Sequence, residues 1–344
     1  MQTKIFTAEL LERDRSALAE AAEIIRQGGL VAFPTETVYG LGADATDAEA
    51  AKKIYAAKGR PSDNPLIIHV SEPKDAELYA HTCELYYKLA SAFMPGPITV
   101  ILPKRDTVPA SVTGGLDSVA VRCPSHTTAR ELIALCGRAV AAPSANISGS
   151  PSPTSAQHVI NDLDSVIDAI IDGGECEIGL ESTIVKIDKD SLVLLRPGAI
   201  TVDALRCVCP NVHIAPAVTA ALAADERPLS PGMKYRHYAP AVPLILLDGA
   251  PSDVLEFLKN AVRLERCAIL CYSEEMSELG DANLIDVGSK DDLAAQAQKL
   301  FSALRDADKL ECDVIYAHLP AKDGIGLALY NRLIRAAAHT VKSV

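Results

Sequence analysis

The sequence predicts an α/β protein in which a mixed, strongly twisted sheet with helices is followed by a small parallel α/β domain. With 344 residues, the chain is longer than one hydrophobic core usually holds, so two domains are expected. Up to about residue 204 the strand patterns are irregularly spaced and end at Gly or Pro, which favours a mixed sheet. From residue 242 strands and helices alternate regularly, which is typical of a parallel, Rossmann-like domain.

The elements of the first domain follow from apolar periodicity and from the residues that interrupt it. A helix is predicted over 16–27, before two glycines, and a buried strand over 30–33. Thr46 and Glu49 have the spacing of a capping box, so a second helix should begin there and end near Lys58. The remaining predicted elements are strands at 66–70, 98–103, 118–123, 139–143, 165–172, 182–187 and 192–197, and helices at 127–136 and 154–161.

A segment rich in Ala and Pro separates the two predicted domains. Residues 207–241 include PLSPGMKYRHYAP and are predicted to be a linker, because this stretch is too polar and too rich in Pro for a core helix. The predicted domains are therefore 1–206 and 242–344. The second contains predicted strands at 243–248, 267–273, 284–287 and 312–319, and helices at 252–264, 289–308 and 326–338.

Charge limits the classes of partner. The formal net charge is −12 and the isoelectric point is near 5.2, which argues against a protein that holds nucleic acid through a broad basic surface. The acidity is concentrated in residues 1–204, which carry −9, against −3 for residues 205–344. Any contact with RNA would therefore have to be local. The sequence contains no apolar run suited to a signal peptide or a membrane span, so we expect a cytoplasmic protein with no membrane partner.

The nine cysteines do not predict a metal site or a disulfide framework. They are an odd number, they are scattered, and they lack the paired C-x-x-C spacing of zinc ligands. We expect reduced and mostly buried thiols.

Two loops carry polar groups directly after predicted strands. PTETVYGLGAD (34–44) presents Thr35, Glu36, Thr37 and Tyr39 before two glycines, and a plain hairpin or turn is the alternative interpretation. APSANISGSPSPT (142–154) offers hydroxyls, amides and backbone N–H groups that suit phosphates, although a surface loop would have the same composition.

Several cations lie at the ends of apolar segments. Lys58 and Arg60 stand between a helix and a strand, Arg122 near the end of a strand, and Arg196 before Pro197. Solvated surface cations are the usual case, but a cation at a strand end flanked by apolar residues also suits an anion site. With Asn64, His69 and the two polar loops, these cations predict a pocket for a phosphorylated ligand and a carboxylate.

Other chemistries lack their motifs. The chain has no G-x-x-x-x-G-K-[ST] loop, no G-x-G-x-x-G after a strand and no G-x-S-x-G elbow. His69 and His237 lie within dense polar clusters, whereas the other histidines have no partners at the spacing of metal ligands.

These motifs resemble the YrdC-like threonylcarbamoyl-AMP synthases, in the long form with a second domain. The resemblance covers nearly the whole chain. It is carried by the K-x-R of Lys58 and Arg60, the S-x-N of Ser144 and Asn146, and the stretches FPTETVYGLG, FMPGP, GLESTIV, LRPG and SPGMKYRHYAP. The sequence departs from many relatives at Lys186, where an acidic residue is common.

The resemblance implies that L-threonine, bicarbonate or CO2, and ATP are converted to threonylcarbamoyl-adenylate and pyrophosphate, for modification of tRNA beside the anticodon. Lys58 and Arg60 would be catalytic and face the triphosphate. The ATP site would comprise Arg60, Asn64, Ser118, Ser144, Asn146, Ser152 and Arg196. The threonine site would comprise Thr37, His69, Arg122, the backbone of Ala142, and Ser182.

The resemblance also implies that the linker reaches over the cavity, so that Tyr235 and His237 close the ATP site. Mg²⁺ would enter with ATP, held by phosphate oxygens and water rather than by protein ligands. The partners would be the three small substrates and the transferase proteins that use the product. Two alternatives remain open at this level: a module that binds RNA, and a regulatory protein that has lost catalysis.

Overall fold

The structure is a computed structural model that describes residues 2–14, 16–220, 237–280 and 282–344. The described residues form two compact units. The first contains residues up to 220, apart from Gly149–Pro151 and Ile178–Leu180. These two short segments belong to the second unit together with residues from 237 onward. The predicted architecture of a twisted mixed sheet and a smaller parallel α/β domain is confirmed.

The first unit contains a mixed sheet of eleven strands in its described residues. Its strands are β1 Lys4–Phe6, β2 Val31–Phe33, β3 Gly40–Asp44, β4 Ile67–His69, β5 Ile98–Pro103, β6 Ser118–Arg122, β7 Val140–Ala141, β8 Ala169–Ile171, β9 Thr183–Asp188, β10 Ser191–Arg196 and β11 Val212–Ile214. Its helices are α1 Ala8–Arg13, α2 Ser16–Arg26, α3 Ala48–Lys58, α4 Glu84–Phe93, α5 Ala110–Thr113, α6 Thr127–Cys136, α7 Ala156–Leu163 and α8 Val202–Val208.

The order of the strands explains how distant motifs meet. Across the sheet it runs β1, β8, β2, β3, β7, β4, β6, β5, β9, β10, β11. In the middle, β4 and β6 are parallel, while β5 is antiparallel to β6 and parallel to β9. His69 lies opposite Arg122, and Arg122 lies opposite Thr99. Polar residues from separate motifs therefore form one row across neighbouring strands.

A core of aliphatic side chains supports one side of this sheet. Helices α2 and α6 pack on it through residues such as Leu18, Ile25 and Leu132, which contact Phe33 and Val140 of the sheet. The apolar face of α2 has the helical spacing predicted for 16–27, and the helix ends at Arg26. This packing holds the ends of β2 and β7, from which two of the polar loops emerge.

Three details differ from the sequence predictions. The predicted capping box is wrong, because Asp47 caps α3 by accepting the N–H of Glu49, while the hydroxyl of Thr46 donates to Asp44. The loop predicted over 34–44 ends earlier, since Gly40–Asp44 forms β3 and pairs antiparallel with β2. Part of the predicted linker is also ordered as strand β11, parallel to β10 at the edge of the sheet. Residues 221–236 of that linker lie outside the described residues.

The second unit contains a sheet of five parallel strands in its described part. The strands are β12 Leu244–Asp248, β13 Cys267–Cys271, β14 Asn283–Asp286, β15 Val314–His318 and β16 Val341–Ser343, in the order β14, β13, β15, β12, β16. The helices are α9 Pro251–Leu264, α10 Met276–Leu279, α11 Leu293–Ala307 and α12 Gly326–Ala336. Leu258 and Ala261 of α9 pack on Leu247 and Ile269 of the sheet.

Among the helices described here, none has the length and the apolar composition needed to cross a bilayer.

Candidate active site

A row of polar side chains crosses the middle of the first unit's sheet. Arg122 ends β6 and lies opposite Thr99 of β5. The hydroxyl of Thr99 is 2.7 Å from that of Ser182, which precedes β9. Arg196, at the end of β10, donates to the hydroxyl of Ser182 at 3.2 Å and to its carbonyl at 3.1 Å. Hydrogen bonds thus join Ser182, predicted for threonine, to Arg196, predicted for ATP, and Arg122 is buried next to them in the strand register.

The loop between β2 and β3 brings a carboxylate to this row. Oε1 of Glu36 lies 2.8 Å from Nη2 of Arg122, and both side chains are at most 5% exposed. Thr35 fixes the loop, since its hydroxyl donates to the carbonyl of Val38 at 2.6 Å and accepts the N–H of Thr37 at 3.2 Å. The hydroxyls of Thr35 and Thr37 are 2.9 Å apart. Thr37, predicted from the resemblance, is therefore positioned next to an ion pair.

His69 is a neutral neighbour of this ion pair. It ends β4 directly opposite Arg122, and the edge of its ring faces Phe33 at a centroid distance of 6.1 Å. Burial removes water from the charged form, and the guanidinium of Arg122 repels it, so the pKa of His69 falls to about 3. Its buried Nδ1 has no hydrogen-bond partner among the described residues. His69 can therefore offer a neutral hydrogen-bonding group to a ligand.

The K-x-R and S-x-N motifs meet at the end of α3. The ammonium of Lys58 donates to the carbonyl of Ser144 at 2.6 Å and to the carbonyl of Asn146. The N–H of Ser148 donates to the carbonyl of Lys58 at 2.9 Å, so the two segments are also joined through their backbones. A carbonyl oxygen orients an ammonium group without cancelling its charge. This arrangement presents a buried cation beside the hydroxyl and amide of the S-x-N loop.

A left-handed residue turns the chain after this helix. Gly59 has φ of +58°, and its N–H and that of Arg60 return to carbonyls of the last helical turn. The guanidinium of Arg60 then donates to the carbonyl of Asn64 at 3.3 Å and to that of Pro65 at 3.1 Å. The amide oxygen of Asn64 is buried and has no hydrogen-bond partner in the part of the chain that is described. The turn thus concentrates a second cation and an available amide near the start of β4.

The other predicted ATP residues are more dispersed. Ser152 is fully buried, and its hydroxyl donates to Oε1 of Glu181 at 2.7 Å. Ser118 begins β6 opposite Pro103, at the other end of that strand from Arg122. The backbone of Ala142 was predicted for the threonine site instead, and its N–H donates to the carbonyl of Ile67 at 2.8 Å.

The two residues predicted to close the ATP site fall outside the described residues of the first unit. Tyr235 lies outside the described residues, and His237 belongs to the second unit, where its ring is 5.6 Å from that of Tyr238. The roles predicted for both residues remain predictions.

The arrangement combines two kinds of recognition in one unit. The Lys58 and Arg60 segment offers buried cations and amide groups that suit a polyphosphate. The row at Arg122 offers a guanidinium for a carboxylate, a neutral imidazole, and hydroxyls at Thr37, Thr99 and Ser182. Such a site can bind an anionic nucleotide and a small polar acid, with charge placed to stabilise phosphoryl chemistry.

Sequence reasoning did not assign three of the buried groups. Thr99 lies in the strand predicted over 98–103, and a single hydroxyl in ITVILP does not by itself indicate a functional residue. Glu36 lies in the polar loop 34–44 and Glu181 in the stretch GLESTIV, but the sequence gives neither of them a role. The ion pair of Glu36 with Arg122 and the hydrogen bond from Ser152 to Glu181 join segments that are far apart in the sequence.

Both units match protein families over most of their length. Residues 23–198 match the family Sua5_yciO_yrdC, described as "Telomere recombination". Residues 200–338 match the family Sua5_C, described as "Threonylcarbamoyl-AMP synthase, C-terminal domain".

Similar curated proteins and solved structures extend over the whole chain. A threonylcarbamoyl-AMP synthase of Pyrococcus abyssi is 45% identical, covering 94% of this chain and 95% of its own. One of Bacillus subtilis is 43% identical, covering 97% and 96%. The crystal structure of P. abyssi Sua5 complexed with L-threonine has a TM-score of 0.91 at 41% identity and covers 100% of both chains.

Proposed function

Because the chain belongs to the threonylcarbamoyl-AMP synthase family, we infer that it catalyses the ATP-dependent synthesis of L-threonylcarbamoyl-adenylate. L-Threonine, bicarbonate or CO2, and ATP are the substrates, and pyrophosphate is released. The product serves the threonylcarbamoyladenosine modification of tRNA.

The observation that carries this conclusion is the presence of two complementary groups of side chains in one unit. The buried cations Lys58 and Arg60 adjoin the S-x-N loop, and a guanidinium with hydroxyls lies along the central strands. A nucleotide triphosphate and an amino acid carry the charges and hydrogen-bonding groups that these two groups of residues complement.

The protein mainly has to position the reactants and balance charge. The threonine amine must first capture the carbon source as a carbamate, and a carbamate oxygen then attacks the α-phosphorus of ATP while pyrophosphate leaves. Lys58 and Arg60 stabilise the negative charge that moves onto the leaving phosphates. Arg122 holds the threonine carboxylate, and the hydroxyls of Thr37 and Ser182 with His69 orient the rest of the amino acid.

Mg²⁺ is proposed to accompany ATP and to neutralise part of its triphosphate charge. Mg²⁺ prefers phosphate oxygens and water as its ligands. The side chains of Ser144 and Asn146 beside Lys58 offer a hydroxyl and an amide, which suits a metal that is held mainly by ATP and water. Of the carboxylates near the predicted site residues, Glu36 faces Arg122 and Glu181 accepts the hydroxyl of Ser152. Within the described residues there is no cluster of three His, Cys, Asp or Glu side chains suited to a metal ion.

The labile product implies a protein partner. We propose that a transferase takes the adenylate and passes the threonylcarbamoyl group to tRNA, with only weak contact between tRNA and this chain. The net charge of −12 supports a limited role for direct RNA binding. We also propose a cytoplasmic location.

The decisive experiment supplies the purified protein with ATP, Mg²⁺, L-threonine and labelled bicarbonate. Pyrophosphate release should require both threonine and bicarbonate, and the label should appear in an adenylate. Equal release with serine or without an amino acid would contradict the threonine assignment. Binding of RNA without any turnover would favour the RNA-binding alternative.

Lys58 provides a direct test of the nucleotide half of the site. Lys58→Ala should lower kcat by about 10²–10³-fold, because a buried positive charge beside the phosphates is lost. Lys53→Ala is the matched control, since Lys53 lies on the same helix and its ammonium also donates to a backbone carbonyl, that of Gly28, at 2.6 Å. Equal rates for the two variants would refute the role of Lys58, provided that circular dichroism shows both to be folded.

A further inference from the structure

Glu36 is a buried carboxylate that forms an ion pair but accepts no hydrogen bond from the described residues. It is 3% exposed, and neither oxygen has a hydrogen-bond partner among the described residues. Its close contact is the ion pair with Arg122 at 2.8 Å, and the buried Nε and Nη2 of Arg122 also lack hydrogen bonds there. A buried ion pair normally needs additional hydrogen bonds to offset the loss of hydration. Both partners of this pair therefore retain capacity to bind a ligand.

The two charges of this pair are complementary to the two charges of a free amino acid. A free amino acid carries a carboxylate and an ammonium group a few ångströms apart. We propose that Glu36 binds the ammonium group of the substrate while Arg122 binds its carboxylate, and that Glu36 then accepts a proton from the ammonium. This inference rests on the proposed function and assigns a role to a residue that the sequence did not include in the site.

Glu36 suits this role better than the titratable groups around it. The pKa of His69 is lowered to about 3, so its imidazole is neutral near pH 7 and a weak base. Burial raises the pKa of the Cys176 and Cys123 thiols to about 12, so both remain neutral. Burial also lowers the pKa of His126, whose imidazole lies within electrostatic range of Glu36. Arg122 is a cation. Among these neighbours, none supplies a negative charge.

The reaction requires such an acceptor, because an ammonium group has no lone pair. In the proposed step one N–H bond of threonine breaks and an O–H bond forms on Glu36, which gives a neutral amine and a neutral carboxylic acid. The amine nitrogen then bonds to the carbon of bicarbonate. The C–OH bond breaks, and the hydroxide leaves as water with a second amine proton, so that a carbamate remains. The proton on Glu36 returns to solvent after product release.

The test compares threonine with 2,3-dihydroxybutanoate, its analogue with a hydroxyl in place of the amine. Both carry the carboxylate, but only threonine carries the positive charge. Calorimetry on the wild-type protein should show that threonine binds about 10–100-fold more tightly than the hydroxy acid. In Glu36→Gln this ratio should fall to within about threefold, through loss of threonine affinity. The kcat for pyrophosphate release should also fall.

The control is Asp44→Asn. Asp44 is another buried carboxylate of the same unit, paired with Arg138 at 2.7 Å, and it lies outside the site. This variant should lose stability but keep both affinities. A structural role for Glu36 would weaken the two ligands equally, and an unchanged ratio in Glu36→Gln would overturn the proposal.

If Glu36→Gln does not fold, the measurement on the wild-type protein still tests the proposal. If the hydroxy acid binds the wild-type protein as tightly as threonine does, the site has no ammonium subsite and the proposal fails. Failure of the proposed function is distinguishable, because the wild-type protein would then show no threonine-dependent release of pyrophosphate.

Discussion

Two buried carboxylates, Glu36 in the first unit and Glu275 in the second, each lie beside a basic side chain. They differ in the number of hydrogen bonds that they accept. Glu36 lies 2.8 Å from Arg122, and Glu275 lies 2.9 Å from His318. Glu275 also accepts the N–H of Tyr272 at 3.0 Å, at the start of a short 3₁₀ turn. The oxygens of Glu36 have no hydrogen bond among the described residues. One carboxylate stabilises a turn, and the other is available to a ligand.

The surroundings of Glu275 support this difference. It lines a cavity of about 270 Å³ at the carboxyl ends of β12, β13 and β15, where ligands often bind in parallel sheets. However, His318 stacks on Tyr272 with ring centroids 4.4 Å apart, and Glu274 accepts the N–H of Lys290. Glu274, Glu275 and His318 thus already have interaction partners within the second unit. We therefore expect the buried carboxylate without hydrogen bonds, rather than the cavity, to bind a ligand.

The largest effect is expected from breaking the pair in the first unit. Arg122→Ala leaves Glu36 as a buried charge without a counter-ion, which should cost about 3–5 kcal/mol in the free energy of unfolding. It should also reduce kcat/KM for threonine by about 10³-fold. Urea unfolding and pyrophosphate release measure the two effects. In the double variant Arg122→Met with Glu36→Gln, stability should recover while activity stays lost; recovery of both would contradict the role of Arg122.

An intermediate effect is expected from acid. The pKa of His69 is about 3 when the protein is folded, against about 6.5 when it is unfolded, so the unfolded state binds the extra proton between these values. The contribution of His69 to stability is therefore complete above pH 6.5 and falls as the pH decreases toward 3. At pH 5 the loss should be about 2 kcal/mol relative to pH 7.

The measurement is urea unfolding at pH 7 and pH 5 for the wild-type protein and for His69→Gln. The variant should lose less stability on acidification, because it lacks the titrating group. Parallel losses in both proteins would show that His69 titrates normally.

The smallest effect is expected in the second unit. Glu275→Gln keeps an oxygen that can accept the N–H of Tyr272 and loses the charge beside His318. The free energy of unfolding should fall by about 1 kcal/mol, and the rate of pyrophosphate release should remain within twofold of the wild type. A large loss of activity in the folded variant would mean that the two carboxylates do not differ as the structure indicates.

Local patterns predicted the regular elements well. The helices Ala48–Lys58 and Thr127–Cys136 and the strand Ile98–Pro103 agree closely with the sequence predictions, since their periodicity is clear and glycines or prolines end them. β3 was not predicted, because GLGAD has no β-branched residue and forms a strand only through pairing with β2 and β7. β11 is three residues long within a Pro-rich and Ala-rich segment, and its pairing with β10 is tertiary information.

The site was predictable where its chemistry is local. Lys58 and Arg60 belong to one short motif, as do Ser144 and Asn146, and the resemblance placed both motifs in one pocket. The structure brings Lys58 to Ser144 and Asn146, although the functional roles of these residues remain predictions. The partnership of Glu36 with Arg122 depends on how β2 and β6 are arranged in the folded sheet, and no spacing in the sequence encodes it.

The edge strand β11 changes where the first unit ends. Val212–Ile214 covers the open side of β10, and Ala217 packs against Ile67 and Leu195 in the same core. A fragment cut after Arg206 would expose the hydrogen-bonding groups of β10, and unpaired edges of this kind promote association between chains. Truncations that aim to separate the two units should therefore retain residues up to 220, so that a loss of activity is not mistaken for aggregation.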